Sequence, residues 1–211
     1  IDVRLGLESD YFPGAEAWLT ELHARAPFDY ILGSVHPQMA EYQHWYYKDD
    51  SRVFYRTYYD HLAMAAESKL FDCIAHPDVI KVVHPNHFKP EQIMDTILNT
   101  LDRIKATGVS MELNTSGLNK APYDMYPSMP ILNEIAARGI PIVVGSDAHD
   151  PKRVGADFEK AFDALESVGV HEVNYYLNRV RHPVSIEDAR DSLRHPGGLR
   201  QMAIDFAQKF I

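Results

Sequence analysis

The sequence predicts a single α/β domain, barrel-like rather than an open sheet. Three observations carry that expectation. β-prone runs alternate with helix-periodic segments almost from the first residue, the connections are short, and side chains able to bind metal follow four of the first five strand-like runs. Alternation with short connections builds βαβ units with parallel strands. At 211 residues, 45% hydrophobic and 24% charged, the chain has the size and composition of one domain with a sizeable core.

Residues 3–7 form the first expected strand, ending at Glu8. Residues 15–25 read as a helix, with Trp18, Leu19 and Leu22 at helical spacing. The second strand spans residues 29–35 and ends at His36. Residues 37–50 show no period and read as a long loop. Ser51 is the expected cap of a helix to Lys69 that turns Phe54, Tyr58, His61, Leu62 and Ala65 to one face. Residues 71–75 are a short apolar strand before His76. Pro90 opens a helix to Lys105, with Ile93, Ile97, Leu98, Leu101 and Ile104 inward. Residues 109–113 are a strand, 130–138 a helix, and 140–144 a strand leading into GSDAH. Pro151 suits the first position of a helix to Ser167. Residues 170–176 are the last expected strand. Helical segments over 186–193 and 199–210 complete a C-terminal extension, residues 184–211, of one domain spanning 1–211.

Composition narrows the function. A net charge of −9, spread along the chain, argues against a duplex nucleic-acid partner, which needs a basic face. The one cysteine, Cys73, excludes an internal disulfide framework and fits a cytoplasmic protein. No apolar run approaches the roughly 20 residues that span a bilayer.

Glu8 follows VRLGL, His36 follows DYILGSV, His76 follows FDCIA, and Asp147 and His149 follow PIVVGS. In a β/α barrel those strand ends converge on one face. Three imidazoles and two carboxylates there suit zinc, manganese or iron rather than calcium, which prefers oxygen alone. Glu8 has two oxygens with which to bridge a pair of ions. One such residue at a strand end is ordinarily a loop hydrogen-bonder; five at four of the first five strand ends form a set. His61, on a helix face, reads as structural. His84 and His87, in VVHPNHF, follow no strand, and His23, His171, His182 and His195 read as surface residues.

The segments GLESDYFPG, DYILGSVH, IAHPDVIK, MELNTSGL and YPSMPILNEIAARGIPIVVGSDAH resemble successive signatures of the polymerase-and-histidinol-phosphatase (PHP) superfamily, and within it histidinol-phosphatases. The resemblance runs from about Val3 to Ala164. It implies a distorted TIM-like barrel with up to three divalent ions at its C-terminal face. Glu8 then matches a bridging carboxylate, His36 and His76 the imidazoles of one site, Asp147 a ligand of a second ion and His149 of a third. It implies hydrolysis of a small phosphorylated substrate, histidinol phosphate, with Asp147 and His149 as catalytic candidates. Lys81, Asn114 and Arg153 are the substrate-binding candidates, and a second copy of the chain is a candidate partner. Other phosphoester substrates, or nucleic acid strands, are the alternatives inside the superfamily; a non-catalytic metal- or partner-binding protein is the alternative outside it. The family pattern opens with an H-x-H strand upstream of the position of Glu8. The expectation is therefore a barrel entered after its first strands, with only the Glu8–His36–His76 site keeping its full set of ligands.

Overall fold

A computed structural model describes residues 3–194. Five parallel strands, β1 (Gly6–Asp10), β2 (Tyr30–Ser34), β3 (Cys73–Ile74), β4 (Ser110–Asn114) and β5 (Ile142–Gly145), form one sheet in the order β1-β2-β3-β4-β5. Every strand pairs with its predecessor in sequence, in registers such as Glu8 with Leu32 and Met111 with Ile142. That progressive winding is a barrel's; a doubly wound sheet reverses its order midway. The sheet is open between β1 and β5 among the described residues. The expected helix over 199–210 lies outside them.

Helices α1 (Glu16–His23), α3 (Ser51–Glu67), α4 (Met94–Thr107) and α5 (Met129–Ala137) follow the strands that sequence periodicity places before them. α3 buries Phe54, Tyr58, His61, Leu62 and Ala65 as expected, and α4 buries Ile97, Leu101 and Ile104. Leu19, Ile31, Ile74, Leu113, Ile131 and Leu165 are among the other buried residues of the core. Asp50, rather than Ser51, caps α3: its carboxylate accepts from the backbone N–H of Arg52 at 2.8 Å and of Val53 at 3.2 Å. Asp50→Ala should cost about 1 kcal/mol of stability, read as a lowered urea midpoint with an unchanged slope.

Three segments differ from expectation. The helix expected from Pro90 opens as a 3-10 turn, Pro90–Ile93, and α4 begins only at Met94. The presumed loop holds α2 (Ala40–Tyr46), seven residues that are too few to show a period. The helix opened by Pro151 is a three-residue 3-10 turn, Pro151–Arg153, and α6 (Phe158–Ser167) begins later. Left-handed backbone at Gly155 (φ 68°) and Asp157 (φ 62°) separates the two.

The end of the chain also departs from the forecast. β6 (Glu172–Leu177) is followed not by a helix but by β7 (Val180–Ser185), an antiparallel partner, and α7 (Ile186–Arg194) comes after. Asn178 and Arg179, at φ 49° and 65°, make the two-residue turn whose twist suits a hairpin. This hairpin seats on the residues that begin the parallel strands. Tyr176 hydroxyl bonds Ser110 Oγ at 2.7 Å and donates to the Asp72 carbonyl at 2.9 Å, Asn174 donates to the Ile142 carbonyl at 3.1 Å, and Arg179 donates to the Leu70 carbonyl at 3.0 Å.

His61 is structural, as its helix face suggests: it is 5% exposed, and Tyr42 hydroxyl lies 2.7 Å from its Nδ1. Burial pushes its imidazole down to about 4, with only Asp60 opposing. A folded-state value below the ordinary one favours the neutral ring, so its share of stability is complete above about pH 6.5 and is lost as pH falls toward 4. The expected loss is about 2 kcal/mol at about pH 5, and His61→Gln should remove that part of the pH dependence in denaturation titrations.

Candidate metal centre

Side chains alternate along β1, so Glu8 and Asp10 share a side while Ser9 turns to the other, where its Oγ meets His23 Nε2 at 2.9 Å. His23 is thereby half-buried rather than a surface residue. β1 runs to Asp10, so Glu8 sits inside the strand instead of just past it. His36 and His76 each lie two residues beyond the ends of β2 and β3.

These three side chains converge. Glu8 Oε1 is 3.1 Å from His76 Nε2 and 3.5 Å from His36 Nε2, and the two imidazole rings are 4.9 Å apart between centroids. All three ligand atoms lie within 4.8 Å of one another. Two atoms each about 2.0–2.1 Å from a tetrahedral ion stand roughly 3.3 Å apart, so the donor set fits a zinc-like cation. Asp10 Oδ1 makes a short contact with His36 Nδ1. That is the carboxylate support which fixes a metal-binding imidazole's tautomer and raises its basicity.

A buried carboxylate supports His76 from behind. Glu112, in β4, accepts from the His76 backbone N–H at 2.8 Å and from Asn114 Nδ2 at 3.0 Å, both at Oε2. Room for it comes from Gly145 on the adjacent strand: a Cβ there would stand 1.9 Å from Glu112 Oε1. Burial pushes Glu112 up, with the charge of His76 opposing. For His76, burial acts downward, but the Glu8 hydrogen bond and the charges of Glu112, Glu8 and Asp147 leave it above the ordinary imidazole range. Glu8 is the mirror case. Burial raises it, while the His76 hydrogen bond and the two imidazoles bring it below the usual carboxylate value.

The cluster opens into a cavity of about 540 Å³ that Asp147 and His149 also line, with Lys120 and Tyr126. Asp147 Oδ2 accepts from Ser116 Oγ at 3.0 Å and lies 3.8 Å from Lys120 Nζ. His149 is exposed, with Nδ1 3.0 Å from the Asp147 carbonyl. A carbonyl only accepts, so Nδ1 carries the hydrogen and Nε2 is left as the exchangeable nitrogen.

The substrate-binding candidates do not line this cavity. Lys81 is buried, held by Asp78 and by Asp124 at 2.9 Å, and its ammonium lies over the Tyr126 ring at 4.8 Å. Asn114 is buried between Glu112 and the Ser116 backbone N–H. Arg153 pairs with Asp157 at 3.0 Å. Sequence reasoning missed Asp10, Glu112 and Lys120. The period-two placement of Asp10 beside Glu8 was a usable signal for the first.

A family model described as PHP domain matches residues 1–116. A probable histidinol-phosphatase of Deinococcus radiodurans is 36% identical over 181 residues, covering 83% of this chain and 68% of that protein. One of Schizosaccharomyces pombe is 22% identical over 186 residues, covering 81% and 61%. The fold is similar to the crystal structure of histidinol phosphate phosphatase from Lactococcus lactis complexed with zinc, L-histidinol and phosphate. There the TM-score is 0.72 at 18% identity, over 86% of this chain and 72% of that one.

Proposed function

The chain belongs to the PHP domain family, and from that premise we propose that it hydrolyses histidinol phosphate to histidinol and inorganic phosphate with the help of bound divalent metal. The observation that carries the reading is the convergence of Glu8, His36 and His76 on one point beside a cavity, in a chain 36% identical to a probable histidinol-phosphatase.

Glu8, His36 and His76 would hold one ion, and Asp147 and His149 would each contribute to others, up to three. Zinc is favoured by the imidazole-rich set, with manganese or iron compatible. Such ions supply positive charge against the phosphate oxygens and acidify water near neutral pH. The chain's own residues do the rest. Asp10 and Glu112 fix the two imidazoles, one through its ring and one through its backbone. Lys120 places a cation at the cavity wall, where it would pair with phosphate oxygens. His149, its Nδ1 hydrogen committed to the Asp147 carbonyl, has an Nε2 lone pair that would hold an ion; only with no ion on it, and after taking a proton from solvent, would Nε2 return that proton to the departing alcohol. No described helix is long and apolar enough to cross a membrane, and a reducing cytoplasm suits a chain whose one cysteine is buried.

The test is release of inorganic phosphate from histidinol phosphate by protein stripped with a chelator and reloaded with zinc, manganese or iron. Activity is expected to vanish on stripping and return on reloading. A stripped protein that turns over as fast as the loaded one, or no release with any of the three metals, would sink the reading.

A further inference from the structure

A second cavity, of about 500 Å³, adjoins the metal centre and shares Asp10 and His36 with it. Its remaining walls differ in chemistry. Phe12 and Trp45, 48% and 69% exposed, are large apolar surfaces that none of the described residues covers fully. Tyr46 adds a third ring, and Glu41 places a carboxylate at the start of α2. Among the described residues lining this cavity none is lysine or arginine, whereas the first cavity contains Lys120. One compartment thus suits an anion beside metal, and its neighbour suits a flat group carrying positive charge.

We infer that the cleft formed by Phe12, Glu41, Trp45 and Tyr46 binds the leaving-group half of the substrate and selects phosphoesters whose alcohol carries a cationic, planar head. The inference rests on the proposed phosphatase reading for its placement of the phosphate. Ring faces attract a cation through their quadrupoles, and Glu41 adds a formal charge of the right sign. Shared walls at Asp10 and His36 let one small molecule place its ester at the ligands and its head on the aromatics. Contacts to a part of the substrate remote from the reacting bond appear first in KM and in discrimination between substrates.

Trp45→Ala and Glu41→Gln change exposed side chains and leave the core untouched. Each variant is compared with the unaltered chain on histidinol phosphate and on glycerol phosphate, which has no cationic head. Both variants should lower the ratio of kcat/KM for histidinol phosphate over that for glycerol phosphate at least tenfold, chiefly through KM. An unchanged ratio, with both substrates falling together or neither moving, overturns the inference. Calorimetric titration with L-histidinol is the second readout and needs no turnover. Binding at least tenfold weaker in the variants supports the cleft, and binding equal to that of the unaltered chain overturns it. If the unaltered chain hydrolyses neither phosphoester, the phosphatase reading fails, and the titration still decides the cleft.

Discussion

Glu8→Gln is expected to reduce phosphate release by roughly a thousandfold and to lower bound metal in the same preparation, beyond the 10–100-fold that loss of an outer supporting partner costs. Glutamine keeps the length of the side chain and one of its acceptors, so the fold is not the variable. What changes is charge: Glu8 is the one anion among the three ligand candidates, and both imidazole nitrogens approach the same oxygen, Oε1. Two neutral imidazoles and an amide hold a divalent ion far less well than two imidazoles and a carboxylate. Elemental analysis and steady-state kinetics on one sample make the check. Full metal content with full turnover would remove Glu8 from the centre.

Gly145→Ala should be a strongly damaging single-methyl change beside the site. The added Cβ would stand 1.9 Å from Glu112 Oε1 and 2.9 Å from Cδ. A flexible surface carboxylate would swing aside, but Glu112 is 5% exposed and committed to two donors, His76 N–H and Asn114 Nδ2. Displacing it leaves buried donors unpaired, at about 1–3 kcal/mol each. A total near 3 kcal/mol corresponds to a thermal midpoint lower by roughly 6–12 °C in a domain of this size. Because Glu112 holds the backbone of His76, metal affinity should fall along with the midpoint. A midpoint within about 1 °C of the parent's would show that Glu112 yields freely, against the packing argument.

The parallel core of the fold was legible because each of its strands is a short apolar run and each following helix is long enough to display a period. α2 was not, since seven residues give fewer than two turns of pattern. β7 hid for another reason: RHPVS contains a proline and two basic residues and lacks the alternation that marks a half-buried strand. At the site, residues placed after apolar runs were visible as a set, and Glu8, His36 and His76 do meet. Asp10 was lost to a strand boundary drawn three residues early. Glu112 was lost because its carboxylate reads as one polar residue in MELN, and the space it occupies is made by a glycine 33 positions away. Lys81 illustrates the reverse limit. A cation beside the motif suggests a phosphate partner, yet its neutralising carboxylates come from Asp78 and from a distant loop carrying Asp124, a pairing that only the fold creates.

The β6–β7 hairpin sits across the residues that begin the parallel strands, while the cavities lie where those strands end. The two ends of the molecule therefore answer to different selective pressures. Substitutions in the hairpin act on abundance: they change what fraction of chains survives unfolding and degradation, and each survivor turns over as before. Substitutions at the strand ends act on the work done by each molecule at constant dosage. A lineage acquiring a new phosphoester can rewrite the second end while the first holds the level of protein steady.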